Sequence, residues 1–596
     1  MAYKNLRHFM DVLQQRGELA IVKAEVDREL EITEITDRVS KAYGPALLFE
    51  NVKGCQFPLL INAFGTYERM ALSLGANTLD EVGDSIGDWL DMANYLGLAN
   101  KFKMLPKLPR FVGVFPQKIL KGACQEVVNM NPDLDLLPIL KCWPKDGGRF
   151  MTLPLVMTKD PKTGVQNTGM YRMQQFDKTS TGMHWHLHKD GREIYENYRE
   201  IGGKMPVSVA FGCDPAITYA ATAPLPKMID EMMFAGYLRK FPVMLVKSKT
   251  NDIYVPAEAE IVLEGYVDLD EPLKKEGPFG DHTGYYSLED FYPVFHVACI
   301  THKKNAVFPA TIVGKPPMED CYLGKATERI FLPLIKMTTP EIINYNFPLE
   351  GVFHNCVIVS IKKRFPGHAY KVMNALWGAG QMMYTKMIVV VEDATDPYNI
   401  NAVIEDVLAH SRIPRDLFVA PGPLDALDHA SDVPHFGNRL GIDATKKWEA
   451  EGVDEEVSKK EFLNLGQLPS IRASRLWEFE SGAVFVASIH KEKPFQAKEL
   501  LEEVLGQSQG SFLKVALIVD KDVDPSDASF VSWKLFNNID AGRDLVYMGE
   551  SIGIDATRTW PEEGHRRPWP DDISMSQSII DLVARRWEEY GIDLDS

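Results

Sequence analysis

Two carboxylic acids, Glu276 and Asp281, lie close together in the segment EGPFGDHTGYY, residues 276–286. The glycines and the proline of this segment interrupt both the helical and the strand period, so the segment predicts a bent, preset loop. Paired acids on a shaped loop indicate proton-transfer chemistry. The alternative is a polar turn in which the aspartate is a capping residue, and the segment alone leaves both interpretations open.

A second polar cluster contains three histidines. His184, His186 and His188 alternate along the chain and would share one face of a strand. The spacing is compatible with a metal site, but satisfied or solvent-facing histidines are the commoner outcome. Trp185 between them is typical of a core or stacking position. Glu231 stands at the start of a predicted helix, from which it could face inward.

Composition and net charge exclude several classes of protein for this chain. The chain has 596 residues, of which 45% are apolar and 25% charged, which predicts a globular protein of several domains. Its net charge of −18 argues against nucleic acid or an anionic membrane as a partner. Seven cysteines without CxxC spacing favour a reducing compartment. With no signal peptide or membrane-spanning run apparent, we expect a cytoplasmic protein without stable membrane insertion.

The order of apolar runs predicts an α/β and β multi-domain protein. We expect a small N-terminal α/β domain over residues 1–115 and a β-barrel-like domain, with short strands and many turns, over 116–325. A C-terminal α/β domain follows over 326–448. A polar linker at 449–470 leads to a further α/β unit with a terminal helix at 471–596.

The last two of these units resemble each other in sequence. The motif GIDAT occurs at 441–445 and again at 553–557. Three other matches keep a constant offset and order: 359–362 with 487–490, 396–397 with 524–525, and 415–417 with 543–545. Ordered matches of this kind predict a duplicated α/β unit.

A helix is predicted at the end of the chain. Ser574 could cap it, and a wide apolar face follows at Met575, Ile579, Leu582, Val583, Trp587 and Tyr590. This face could pack on its own domain or on a neighbouring subunit, and the pattern leaves both arrangements open.

Several long motifs in the same order resemble the UbiD family, whose members are decarboxylases that use prenylated FMN. The motifs are the run Asn167-x-Gly169-x-Tyr171-Arg172, the helix EMMFAG at 231–236, the stretch VPAEAEIVLEG at 255–265, and the EGPFGDHTGYY loop. The resemblance covers about three quarters of the chain. It implies a split β-barrel in the middle domain, which would bind the flavin.

The resemblance also implies roles for individual residues. Arg172, Glu276 and Asp281 match the family's catalytic triad, with Asp281 as the proton donor and Glu276 coupled to Arg172. Asn167 and Glu231 match ligands of a Mn²⁺-like ion that holds the cofactor phosphate, with His188 as a further ligand, and some members add K⁺. The residues expected to line the cofactor are Met170, Tyr171, Arg172, His184, Trp185, His186, Lys189 and Asp190.

The implied reaction is a reversible, non-oxidative decarboxylation of an aromatic or α,β-unsaturated acid. The long form resembles menaquinone-pathway members, which implies 1,4-dihydroxy-6-naphthoate as the substrate; a polyprenyl-4-hydroxybenzoate of ubiquinone synthesis is the alternative. A flavin-binding oxidoreductase and a non-catalytic carrier are two further alternatives. The implied partners are the acid substrate and a flavin prenyltransferase that supplies the cofactor. The resemblance also implies a homo-oligomer, since the family's terminal helix often packs on a neighbouring subunit.

Overall fold

The computed structural model describes residues 3–94, 114–186, 189–225, 229–452, 465, 468–508 and 512–594. The chain forms two compact units. One combines the chain up to Ile330 with the segment from Asp571 onward, and the other runs from Phe331 to Pro570. No helix in the described ranges is long and apolar enough to cross a membrane. The seven cysteines, all within those ranges, are free thiols.

Up to Asn94, the described part of the first unit forms four helices and strands of a small sheet. The helices are α1 (Leu6–Gln15), α2 (Glu31–Lys41), α3 (Tyr67–Ser73) and α4 (Leu79–Asn94), and the strands are β1 (Leu19–Val22), β2 (Ala46–Phe49) and β3 (Leu59–Ile61). The Asn5 side chain caps α1 by accepting a hydrogen bond from the His8 N–H. Leu6, Phe9 and Leu13 bury one face of this helix.

A larger β-rich part follows. Its strands are β4 (Gln117–Ile119), β5 (Val127–Asn129), β6 (Phe150–Met151), β7 (Leu155–Lys159), β8 (Gln166–Met170), β9 (Met173–Gln174), β10 (Ser180–Gly182), β11 (Lys204–Phe211), β12 (Met244–Lys247), β13 (Tyr254–Pro256), β14 (Ile261–Asp268), β15 (Lys274–Glu276), β16 (Asp290–Tyr292), β17 (Val294–His302) and β18 (Phe308–Pro309). Its helices are α5 (Asp190–Arg199), α6 (Pro215–Ala220) and α7 (Glu231–Arg239), and α8 (Glu319–Thr338) leads into the second unit.

The main sheet is antiparallel and has seven strands, in the order β10-β17-β14-β11-β7-β8 with β5 beside β17. Its end strands β10 and β8 do not pair with each other, so the expected barrel is wrong in one respect: among the described residues the sheet is open. The chain leaves the ladder after each end strand, at Tyr171–Arg172 and at Met183–His186, where candidate site residues lie. The two edges therefore lead into the candidate site instead of closing on each other.

The terminal helix α13 (Gln577–Tyr590) packs against α2 of the same chain. The Tyr590 hydroxyl donates to Glu31 Oε1 at 2.8 Å, and Arg38 Nη2 donates to the Ile580 carbonyl at 2.9 Å. The residue that precedes the helix is Ser576, and not Ser574, and its side chain makes no capping hydrogen bond. This helix is held by contacts with α2, and the predicted serine cap is absent.

The second unit contains two five-stranded sheets. The strands are β19 (Ile342–Asn346), β20 (Cys356–Ile361), β21 (Met387–Glu392), β22 (Leu417–Pro423), β23 (Phe436–Asp443), β24 (Ile471–Glu478), β25 (Ala483–Ile489), β26 (Leu513–Asp520), β27 (Leu545–Met548) and β28 (Ser551–Asp555). The helices are α9 (His368–Trp377), α10 (Ile400–His410), α11 (Gln496–Gln507) and α12 (Ala528–Asn538).

Both sheets follow one topology. The strand orders are β19-β20-β21-β23-β22 and β24-β25-β26-β28-β27, and in each sheet three parallel central strands are flanked by antiparallel edges. Ile358 and Val389 of the first sheet share one core with Val486 and Leu517 of the second. The opposite faces of the two sheets have separate cores, which include residues of α9 and α11 respectively. The two sheets therefore share one core, to which α10 and α12 also contribute, and each sheet has a further helix on its opposite face.

Candidate active site

The loop that carries Glu276 and Asp281 is held by close backbone packing. A Cβ atom on Gly147 would lie 2.0 Å from the Gly277 carbonyl oxygen, so only glycine fits there. The Gly147 N–H donates to the Pro278 carbonyl at 2.8 Å. Gly280 N donates to Asp146 Oδ1 at 2.7 Å. These contacts fix the bend that the sequence predicts.

Arg172, which follows β8, lies between the two acids. Its Nε donates to Glu276 Oε1 at 3.3 Å, and its Nη1 pairs with Asp281 Oδ2. Its Nη2 donates to Ser287 Oγ at 3.2 Å. The guanidinium also stacks over the Phe279 ring, 4.7 Å from the ring centroid. One cation, whose side chain is 12% exposed, therefore joins the predicted triad into a single cluster.

The ionisation state of Asp281 depends on its burial and on its neighbours. Burial by itself would raise the pKa of Asp281, but the Arg172 guanidinium and His282 outweigh burial and hold this pKa well below its usual range. His282 contributes both its backbone N–H and its ring nitrogen Nδ1, at 2.8 and 3.0 Å from Asp281 Oδ1. While Arg172 is paired with it, Asp281 is ionised. A proton donor at this position must first lose part of that pairing.

His184 and His186 form a hydrogen-bonded pair beside Glu276. His184 Nδ1 lies 2.7 Å from Glu276 Oε1, and its Nε2 lies 2.8 Å from His186 Nε2. Residues 183–186 form no strand, so the predicted strand face is wrong here, because the chain turns away from the ladder after β10. His188 lies outside the described residues.

Asn167 and Glu231 meet at a second polar centre. Asn167 Nδ2 donates to Glu231 Oε1 at 2.8 Å, and the Thr168 N–H donates to Glu231 Oε2 at 3.1 Å. Asn167 Oδ1 is buried without a hydrogen-bond partner. Burial raises the pKa of Glu231 to about 7. An orphaned amide oxygen beside a buried carboxylate fits a cation that prefers oxygen ligands.

The remaining predicted cofactor residues lie around the start of α5. The Tyr171 hydroxyl accepts from the Gly191 N–H at 3.3 Å. Trp185 is buried, and its Nε1 has no partner. Met170 is half-buried at the end of β8, whereas Lys189 and Asp190 are exposed. The orphaned indole N–H is compatible with a polar group bound at this place.

Asp320 was missed by the sequence reasoning. Both of its carboxylate oxygens are buried without a hydrogen-bond partner. Burial, helped by the charge of Asp281 and opposed by that of His282, raises its pKa to about 7. Asp320 is the second residue of α8, and an acid at a helix start is ordinary in sequence. No sequence signal therefore distinguishes it from a surface acid in the first turn.

Comparison with known families covers most of the chain. Models described as the N-terminal, Rift-related and C-terminal domains of 3-octaprenyl-4-hydroxybenzoate carboxy-lyase, all of the UbiD type, match the chain. The N-terminal model matches residues 10–86 and the Rift-related model 117–316. The C-terminal model matches both 321–444 and 456–567.

Two relatives match most of the chain. An uncharacterized protein of Archaeoglobus fulgidus is 51% identical over 76% of this chain and 94% of its own length. One of Helicobacter pylori is 34% identical over 98% of this chain and 96% of its own length.

Among solved structures, the vanillic acid decarboxylase of Sedimentibacter hydroxybenzoicus in closed form is similar, with a TM-score of 0.66 and 27% identity over 78% of this chain and 97% of that chain. The UbiD-class enzyme HmfF from Pelotomaculum thermopropionicum, in complex with FMN, has a TM-score of 0.65 and 25% identity over 76% of this chain and 97% of that chain. The chain therefore belongs to the UbiD family of decarboxylases, which are carboxy-lyases.

Proposed function

We propose that this decarboxylase removes CO₂, reversibly and without net oxidation, from an aromatic or α,β-unsaturated carboxylic acid with the help of prenylated FMN. The observation that carries the proposal is the largely enclosed Arg172, shared between the carboxylates of Glu276 and Asp281. A guanidinium in this position can exchange one internal carboxylate for that of a substrate. Solved neighbours in complex with FMN and with prenylated FMN support the choice of cofactor.

The cofactor would supply the electron sink that a departing CO₂ requires. Asn167 and Glu231, with His188, would hold a Mn²⁺ ion and through it the cofactor phosphate, and K⁺ is proposed as a second ion. The orphaned Asn167 Oδ1 supports the metal position. Met170, Tyr171, Arg172, His184, Trp185, His186, Lys189 and Asp190 are proposed to line the cofactor.

The proton steps follow from the charges of the cluster. When Arg172 turns to the substrate carboxylate, Asp281 loses the cation that keeps it ionised. Burial is then opposed by His282 alone, so the pKa of Asp281 rises and Asp281 can take up a proton. After CO₂ leaves, Asp281 delivers this proton to the carbon that carried the carboxylate. Glu276 keeps its hydrogen bond from Arg172 Nε while Nη1 turns to the substrate.

The proposed substrate is 1,4-dihydroxy-6-naphthoate, as an intermediate of menaquinone biosynthesis. The resemblance of this long chain to menaquinone-pathway members supports it, and so does Asp320. Its buried, unpaired oxygens can accept a hydrogen bond from a ring hydroxyl. The alternative is a polyprenyl-4-hydroxybenzoate, which the description of the matching family models favours.

We also propose that residues 471–596 contain a second copy of the α/β domain at 326–448, joined to it by the segment 449–470. Equivalent contacts support the duplication. Lys363 Nζ donates to Glu451 Oε2 at 2.6 Å, and Lys491 Nζ donates to Glu563 Oε2 at the same distance. Domain limits of 1–115 and 116–325 for the rest of the chain, and assembly into a homo-oligomer, are parts of the same proposal.

Reconstitution tests the proposed reaction. The purified protein is loaded with prenylated FMN and Mn²⁺ and offered hydroxynaphthoates, hydroxybenzoates and acrylates, while CO₂ release and the product are followed. We expect CO₂ and a dihydroxynaphthalene from 1,4-dihydroxy-6-naphthoate. Turnover of a prenylated hydroxybenzoate alone would support the alternative substrate. Absence of CO₂ from every acid, with the cofactor bound, would refute the proposal.

A further inference from the structure

His184 occupies a position that fits a specific task. Its ring is buried and packs on Tyr292, with 4.3 Å between the ring centroids. One ring nitrogen contacts Glu276 and the other contacts His186. Both nitrogens are therefore engaged within the protein, and His184 offers no further hydrogen bond to a bound molecule.

The chemistry of the partners fixes the direction of these hydrogen bonds. An ionised Glu276 can only accept, so the hydrogen must reside on His184 Nδ1. His184 Nε2 is then an acceptor and receives the N–H of His186 Nε2. Burial and the nearby Arg172 lower the pKa of His184, which agrees with a neutral ring. The two hydrogen bonds therefore have one direction: His186 donates to His184, and His184 donates to Glu276.

Because of this arrangement, Glu276 has a histidine donor that does not depend on Arg172. Glu276 Oε1 receives His184 at 2.7 Å and Arg172 Nε at 3.3 Å, whereas Oε2 has no partner. Of the two hydrogen bonds that Glu276 Oε1 accepts, the one from His184 is therefore the shorter. When Arg172 moves its Nη1 to a substrate, the His184 donor remains on Glu276.

We infer that His184 is a positioning residue: it fixes the Glu276 carboxylate against Arg172, so that Asp281 is the acid that gives up Arg172 and takes up the proton. The inference rests on the proposed decarboxylation. It differs from the expected cofactor contact, because its target is a carboxylate of the protein. The titratable or charged groups that face Glu276 are Arg172, His184, Asp281, Tyr292 and, across the β15–β16 pairing, Asp290.

Three substitutions distinguish the effect of the N–H donor from the effect of the ring volume. His184→Asn places an N–H near the position of Nδ1, His184→Gln places one near Nε2, and His184→Leu supplies bulk without a donor. His296→Asn is a matched control, because His296 also pairs with a glutamate, Glu271, but is partly exposed and outside the cluster. Circular dichroism and thermal unfolding establish that each variant is folded.

The measurement is kcat and KM for CO₂ release by the loaded enzyme. We expect His184→Leu and His184→Gln to lower kcat by about 10- to 100-fold, the effect of losing one charge-assisted hydrogen bond. Without the His184 donor, Arg172 Nε is the one hydrogen-bond donor left on Glu276 Oε1, so kcat should fall while KM changes little. His184→Asn should restore kcat, and His296→Asn should change neither kcat nor KM.

The outcomes are distinguishable. If the wild-type enzyme releases CO₂ and His184→Leu keeps its kcat, the role of His184 is rejected and the proposed function stands. If His184→Asn is as slow as His184→Leu, the ring volume matters and not the donor, and the inference is again overturned. A wild-type enzyme that releases no CO₂ from any acid rejects the proposed function and the inference with it.

Discussion

At the residue scale, the candidate site depends on one cation shared by two acids. The family motif was enough to predict that Arg172, Glu276 and Asp281 meet, and the structure places them in contact. The ionised state of Asp281 was not predictable from the sequence, because it depends on the balance between burial and two positive neighbours. In the proposed mechanism the substrate shifts that balance when it draws Arg172 away.

Asp320 could not be found from sequence, because its isolation is a property of the packing around it. Its pKa rises from 3.8 to about 7 on folding, so the folded state binds the proton more tightly. Wild-type stability therefore falls as the pH rises through that window. We expect Asp320→Asn to gain about 1.4 kcal/mol over wild type for each pH unit of the window, and a constant difference above it.

Urea unfolding from pH 4 to pH 8 measures this difference. Asp290→Asn serves as the control, because Asp290 is an exposed aspartate of the same unit, and it should follow the wild-type curve. An Asp320→Asn variant whose stability parallels wild type at every pH would show that Asp320 is not a buried, unpaired acid.

At the element scale, the loop 276–286 is shaped by its neighbours. The glycines and proline predict a bend, and the bend is present, but the segment 143–147 that braces it is distant in sequence. The same limit applies to the main sheet. Strand positions follow from short apolar runs, whereas the open edges depend on where the chain leaves the ladder after β8 and β10.

Gly147→Ala tests whether the loop geometry matters. The added Cβ would meet the Gly277 carbonyl oxygen at 2.0 Å, so the backbone that follows Glu276 must shift. We expect a loss of about 1–3 kcal/mol in stability from overpacking. We also expect kcat/KM to fall by about 10²-fold, because a shift near 1 Å misplaces the acids.

The control is Gly378→Ala, whose Cβ would be 3.4 Å from its nearest neighbour, at an unstrained φ of −97°. It should retain wild-type activity in the CO₂ assay. Full activity in Gly147→Ala would show that the reaction tolerates movement of the loop.

At the scale of the whole molecule, the second unit consists of two sheets with one topology and one shared core. Repeated motifs such as GIDAT predict a duplication, and the proposed second copy rests on them and on the equivalent lysine–glutamate contacts. The core that the two sheets share was not predictable. All residues of β20 are buried, and such a strand does not reveal what covers each face.

Because the two sheets share a core, we expect them to unfold as one unit. Leu517→Ala removes a side chain from the common core and is expected to cost about 2–5 kcal/mol. Amide hydrogen exchange should then accelerate in β20 and β21 as well as in β25 and β26.

Phe485→Ala is the matched control, because Phe485 belongs to the outer core of the second sheet alone. It should accelerate exchange in the second sheet and leave β20 and β21 protected. Unchanged exchange of the first sheet in Leu517→Ala would mean that the two sheets open independently.

Solvent deuterium incorporation tests the central claim most directly, namely that Asp281 protonates the carbon that loses CO₂. The enzyme loaded with prenylated FMN and Mn²⁺ turns over its acid in D₂O, and mass spectrometry and NMR locate the label, with exposed Asp270→Asn as the control. We predict one deuterium at the former carboxyl carbon for wild type and control. Asp281→Asn should bind the cofactor but form labelled product at least about 10²-fold more slowly, the usual contribution of a general acid. Labelled product formed at the wild-type rate by Asp281→Asn would contradict the account.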